Sequence, residues 1–221
     1  MMKKLSFFLI FFAFAMQMVY GVAIEIRNAS FEEYVLSDGN YTTPDFPWGG
    51  VRTTNPIPQW TVTGFAGTYN PTSSVYPGGV PDGSNVIYGH VQSGQVGDAI
   101  ISQILTSNLQ ANTRYTLQVA VGHYGSFQGY KIQLLAGGNL LAQDNNTILP
   151  TVNTFSTSTT IYETGSSNAY LGQALEIRLI SFGVQANFDH VRLNAETTVV
   201  PECSSFVLLC IFFLFFIAYR K

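Results

Sequence analysis

Cysteine is almost missing from this chain of 221 residues, and the two that occur, Cys203 and Cys210, both lie near its end. No disulfide can staple the region ahead of them, so that region must be held by buried surface. Charge is scarce as well, at 10% of residues. Lys3, Lys4, Arg220, Lys221 and Glu202 belong to the two ends, which leaves six basic against twelve acidic residues between them, a net of −6. A negative domain without a basic stripe excludes nucleic acid as a partner. Catalytic signatures are also missing: His90, His123 and His190 show no metal-ligand spacing, and there is no Gly-x-Ser-x-Gly turn. Glu32 and Glu33 are adjacent, so on a strand they face opposite ways and cannot flank one bond. On these absences the chain reads as noncatalytic, with an enzyme built from carboxylates distant in sequence as the remaining exception.

A helical period is missing too, and strand signals take its place. Between Arg114 and Tyr124, Tyr115, Leu117, Val119 and Val121 alternate with Thr116, Gln118, Ala120 and Gly122, the period of a half-buried strand. Ala174 to Ser181 repeats the device. Further strands are predicted over Ile24–Arg27, Gln59–Phe65, Asn85–Val91, Ala99–Leu105, Tyr130–Ala136, Asn139–Gln143, Thr151–Glu163 and Asn187–Asn194, with Gly137-Gly138 as a tight hairpin. Many short strands separated by turn signals predict an all-β, antiparallel sandwich of jelly-roll topology. Leu36–Pro58 and Ala66–Gly83, rich in Pro, Gly, Asn, Thr and aromatics, are expected as long loops gathered at one end of it.

The ends carry targeting signals. Met1–Lys4 is basic, Leu5–Ala15 apolar and Gly21-Val22-Ala23 small, which predicts a signal peptide over residues 1–23. The alternative is an uncleaved first membrane helix. The folded domain is expected over 24–198. Residues 199–221 combine Val200-Pro201-Glu202-Cys203, an apolar run from Phe206 to Tyr219, and terminal Arg220-Lys221, the pattern of a transmembrane helix stopped by cations. Those fourteen apolar residues span about 21 Å as a helix, short of a hydrocarbon core of roughly 30 Å, which favours a brief anchor.

Several segments together resemble exported bacterial proteins with a galactose-binding-like sandwich: Asn28-Ala29-Ser30-Phe31-Glu32, Ile57-Pro58-Gln59-Trp60, Val80-Pro81-Asp82-Gly83-Ser84-Asn85, Leu171–Leu179 and Asn187-Phe188-Asp189-His190-Val191. The tail resembles the PEP-CTERM sorting signal, with Cys203 where that family has a second proline. The resemblance implies an exported protein, passed through the inner membrane to the cell surface or extracellular matrix by an exosortase-type enzyme. It further implies a noncatalytic module for carbohydrate of the extracellular polymer, or else a structural component of envelope or biofilm that binds no sugar.

Two constellations follow. In carbohydrate-binding modules that this domain resembles, the positions of Glu32 and Asp189 help hold a structural calcium ion with backbone carbonyls. Calcium takes hard oxygen ligands, which suits both residues. By simple alternation Asp189 shares an inward face with Val191 and Leu193, where it needs either a cation or hydrogen-bond donors such as backbone amides. The second constellation is aromatic: Trp48, Trp60, Tyr69, Tyr76, Tyr88, Tyr124, Phe127 and Tyr130 offer flat faces to a ring-shaped ligand. Of these, Trp48, Tyr69, Tyr76 and Tyr124 are expected to contact a glycan, while Trp60 is expected in the core.

Overall fold

The computed structural model describes residues 21–44, 50–90 and 98–198. Its elements are all strands: β1 (Val22–Ile24), β2 (Thr42–Thr43), β3 (Val51–Arg52), β4 (Thr61–Thr63), β5 (Phe65–Tyr69), β6 (Val86–His90), β7 (Ala99–Asn108), β8 (Thr113–His123), β9 (Tyr130–Ala136), β10 (Asn139–Asn145), β11 (Phe155–Glu163), β12 (Ala174–Ser181) and β13 (Ala186–Thr197). Six of them form one sheet in the order β11-β8-β13-β6-β5, with β1 added along β13. Five form a second sheet in the order β10-β9-β12-β7-β4. The pairings within both sheets are antiparallel, while β2 and β3 make a short parallel pair beside them.

Alternation explains what lies between the sheets. Leu117, Val119 and Val121 from β8 meet Leu175, Ile177 and Leu179 from β12 and Ile132 and Leu134 from β9, all buried in one continuous core. Each such side chain contributes roughly 1.5–3 kcal/mol through burial. Trp60 joins this core, its ring 5.6 Å from that of Phe31 and its indole N–H donated to the Asn28 carbonyl.

Departures from the expected pattern have local causes. The strand expected over Gln59–Phe65 is cut in two by Gly64, whose φ of 86° turns the chain from one sheet into the other. The loop expected from Ala66 therefore begins inside β5. The strand expected from Thr151 starts at Phe155. Val22 and Ala23 already pair with Ala195 and Asn194, so the folded domain starts ahead of the boundary expected at Ala23.

The most consequential departure is in β13. The register with β8 shifts between Asp189 and Arg192, and His190 adopts a φ of 51°. This bulge places two residues where one is expected and reverses the alternation. Phe188 enters the core together with Val191 and Leu193, and Asp189 turns to the opposite, outer face. The inward orientation expected for Asp189 is thereby corrected.

Candidate functional site

The outer face of the six-stranded sheet is built by the residues that alternate away from the core. Asn187 on β13 stands opposite Gly122 on β8 and Tyr88 on β6, and Tyr88 stands opposite Gly67 on β5. Phe155 on β11 pairs with Gly122 from the other side. These residues therefore form one row across the sheet on a single face.

Gly122 has a specific job in that row. A Cβ there would lie 2.5 Å from the Phe155 ring and 2.8 Å from the Tyr76 hydroxyl, so only glycine leaves room for both. The Tyr76 and Phe155 rings pack 4.5 Å apart over it. The rings of Tyr69, on β5, and Tyr124, just past the end of β8, lie 6.5 Å apart although β13 and β6 separate those strands, so the two side chains lean toward each other across them. Tyr88 is held by donating its hydroxyl to the Thr42 carbonyl at 2.7 Å, and it packs against Tyr41 and Phe65. Asn187, between Tyr88 and Gly122 in the same row, has no solvent exposure.

Two buried polar atoms here lack a hydrogen-bond partner: the Tyr76 hydroxyl and Asn187 Nδ2. The other end of the Asn187 amide is occupied, since Oδ1 accepts from Gln185 Nε2 at 2.9 Å. Unpaired buried polar groups are uncommon and costly, so two of them flanking the same glycine mark a place prepared for a partner. Burial, reinforced by their hydroxyl neighbours, pushes the pKa values of Tyr69 and Tyr76 upward, which keeps these two phenols neutral. Burial also lowers the pKa of His90, which shares the outer face with Tyr88 at the end of β6. The site is a cluster of aromatic rings with two unpaired polar groups, a setting suited to a flat apolar molecule carrying one polar atom.

The carboxylates gather further along the same face. Asp189 is fully buried; its Oδ2 accepts the Asp82 N–H at 2.9 Å and its Oδ1 the His190 N–H at 2.6 Å. Glu32 Oε1 accepts the N–H groups of Ser84 and Asn85 at 2.9 and 2.7 Å. Burial pushes the Asp189 pKa up to about 8, against the two backbone amides, and the neighbouring charges of Asp82 and Glu32 push the same way. Glu32 and Asp189 are thus brought together, and backbone amides satisfy both. Among the described residues no three His, Cys, Asp or Glu side chains group as a metal centre.

Tyr69, Tyr76 and Tyr124 converge, while Trp48 and the tail residues Val200, Pro201, Glu202, Cys203, Arg220 and Lys221 lie outside the described residues. Asn187, Gln185 and Phe155 were not singled out from the sequence. Asn187 sits on the polar phase of β13, but nothing local distinguishes it from any solvated strand asparagine; its pairing with a glycine is what makes it central.

Comparison with known proteins gives this geometry a family. A family model described as HpiC1-like, HpiC1 cyclase, matches residues 22–194. A Stig cyclase, Fisc from Fischerella sp. TAU, solved in complex with (3Z)-3-(1-methyl-2-pyrrolidinylidene)-3H-indole, is 31% identical, with a TM-score of 0.71 over 81% of this chain and 100% of that one. A cyclase from Fischerella sp. TAU in complex with 4-(1H-indol-3-yl)butan-2-one is 34% identical, with a TM-score of 0.68 over 81% and 100%. An arabinose-bound α-L-arabinofuranosidase, MgGH51, is similar in fold alone, at 17% identity and a TM-score of 0.51 over 80% of this chain and 27% of that one. No curated protein matches the chain.

These findings overturn the expectation of a noncatalytic carbohydrate-binding or scaffolding protein of envelope or biofilm, because the matched family and its similar structures are enzymes. The expected partners, a polysaccharide, an exosortase and the membrane, find no support in these matches; the similar cyclases were solved with indoles. The family match ends before the tail on which the sorting reading rested. Matched over nearly all of its described length, the chain belongs to the HpiC1-like cyclase family.

Proposed function

We propose that the outer face of the six-stranded sheet is the active site of a cyclase for a small, uncharged, indole-bearing substrate. The observation that carries this reading is the pair of unpaired buried groups, the Tyr76 hydroxyl and Asn187 Nδ2, under a roof of aromatic rings. Cyclisation makes a bond within one molecule, so the site must fold the substrate, exclude water and engage the atom whose charge changes. Tyr69, Tyr124 and Phe155 fold and cover the substrate, and their ring faces stabilise positive charge that develops on an indole as it reacts. Tyr76 and Asn187 engage the polar atom. The basic Met1–Lys4 and apolar Leu5–Ala15, leader-like in sequence, support action outside the cytoplasm.

Calcium fits the neighbouring cluster. Glu32 and Asp189 supply hard oxygens, and the burial and negative surroundings that raise the Asp189 pKa disfavour a carboxylate that a cation would stabilise. Two side chains do not complete a coordination shell, so backbone carbonyls or water would have to join them. A bound calcium ion would supply charge balance and cross-linking between the segments that carry Glu32 and Asp189. Glu32 already ties the chain after Phe31 to Ser84 and Asn85, and Asp189 ties Asp82 to β13, two residues from Asn187. Holding these together fixes one wall of the site.

Calorimetry of the purified full chain with 4-(1H-indol-3-yl)butan-2-one and with β-1,4-galactotriose tests the site. Binding of the indole without the sugar is expected, as is conversion of some 3-substituted indole to an isomer of unchanged mass. Binding of the sugar alone sinks the reading.

A further inference from the structure

The orientation of a single amide specifies which substrate arm the chamber accepts, an inference that rests on the proposed site. Asn187 has no solvent exposure, and its amide is turned by one contact: Gln185 Nε2 donates to Oδ1 at 2.9 Å. With its oxygen engaged, the free end is Nδ2, which can only donate. Gln185 itself is held in a left-handed backbone conformation, φ 49°, immediately before β13. Its side chain therefore reaches Asn187 on the same face, two residues on.

The surroundings decide what that donor can meet. On the same face Tyr88 stands opposite Asn187, Tyr76 and Phe155 pack over its other partner Gly122, and the nearest carboxylate along the strand, Asp189, has both oxygens on backbone amides. A buried donor among neutral aromatics accepts a neutral acceptor without the desolvation cost that an anion brings. A substrate N–H or hydroxyl offered as donor alone would leave Nδ2 unpaired.

We propose that Asn187 Nδ2, aimed by Gln185, recognises a neutral hydrogen-bond acceptor, a carbonyl oxygen or imine-type nitrogen, on the side arm of an indole-bearing substrate. Asn187 is the contacting residue and Gln185 the positioning residue. No bond is made or broken by either.

The test compares two ligands that differ only in the acceptor, 4-(1H-indol-3-yl)butan-2-one and 3-butylindole, by calorimetry on the full chain. The native protein is expected to prefer the ketone about tenfold or more, the equivalent of one buried hydrogen bond. Asn187→Leu is expected to bind both equally. Gln185→Leu is expected to keep affinity for 3-butylindole while losing most of the preference, a change in ratio that general loosening of the fold would not give. Asn187→Asp, which offers an acceptor, is expected to reverse the preference at neutral pH. Equal binding of both ligands by the native protein overturns the proposal while leaving the site intact, and this arm needs no variant. Binding of neither overturns the proposal together with the site on which it rests.

Discussion

Two buried clusters in this molecule use nearly the same chemistry, a tyrosine hydroxyl beside an Asx side chain, and end in opposite states. At the edge of the sandwich, Asp144 accepts from Tyr130 and Ser158 at Oδ2, each at 2.5 Å, and from the Thr147 N–H at Oδ1, 2.9 Å. Tyr130 also accepts the Ile148 N–H at 3.4 Å. On the outer face, Tyr76 and Asn187 are as deeply buried and each leaves a polar atom unpaired. A closed network fastens β9, β10 and β11 to one another, whereas an open one gains nothing for the fold and awaits a molecule. The difference separates a structural site from a functional one where residue types alone do not.

The largest effect that sharpens this contrast is on stability. Asp144→Ala removes the acceptor for three donors at once and is expected to cost about 3 kcal/mol or more. Urea unfolding should show it as a lower midpoint at unchanged slope. Asn187→Leu removes an amide already lacking one partner and is expected to cost less than about 1 kcal/mol. Similar losses in both variants would erase the distinction between the clusters.

A second contrast lies between the two buried aspartates and concerns pH. Burial raises the Asp144 pKa, but hydrogen bonds from Ser158, Tyr130 and Thr147 outweigh it and leave the group below its ordinary value. Its contribution is present above the unfolded carboxylate range, near pH 4, and is lost as pH falls through the native value. Asp189 runs the other way. With its pKa raised to about 8, the folded chain without metal holds a proton that the unfolded chain releases near pH 4. Stability then declines as pH climbs from about 4 to about 8, at up to roughly 1.4 kcal/mol per pH unit, and levels above that. Thermal unfolding in chelator should follow this slope. Calcium should flatten it and add the most stability at pH 8, and Asp189→Asn should lose both effects. A flat chelated profile from pH 5 to 8 would show that Asp189 stays ionised in the fold, and an absent calcium shift would remove the ion from Glu32 and Asp189.

The strands of the sandwich were legible because alternation is local: Tyr115–Val121 and Leu175–Leu179 announce their buried face within a few residues. The convergence of Glu32 with Asp189 was legible through motifs at the two ends of the domain. The orientation of Asp189 was not, because a bulge at His190 reverses the count and no residue in Asn187–Val191 signals it. Tyr69 and Tyr76 were picked out as aromatics on an expected loop and Tyr124 at the end of an expected strand, yet their proposed meaning changed from sugar platform to cover of a small-molecule site. That change depends on Gly122, which reads as an ordinary strand glycine until its neighbours on β11 and β13 are known. The family's enzymatic character was illegible for a related reason: the proposed site has no compact catalytic motif, only phenols and an amide supplied by separated strands and a loop.

The smallest stability effect is the most discriminating one. Tyr76→Phe deletes only the unpaired hydroxyl and keeps the ring against Phe155. Because that hydroxyl is buried without a partner, its loss should leave stability within about 0.5 kcal/mol or raise it slightly. The same deletion at Tyr130, whose hydroxyl donates to Asp144, should cost about 1–2 kcal/mol. Affinity should move the opposite way: Tyr76→Phe should weaken binding of 4-(1H-indol-3-yl)butan-2-one several-fold, and Tyr130→Phe should leave it unchanged. If Tyr76→Phe destabilises as much as Tyr130→Phe and binds the indole as tightly as the native chain, the Tyr76 hydroxyl has a partner within the protein, and the open cluster is a second structural one.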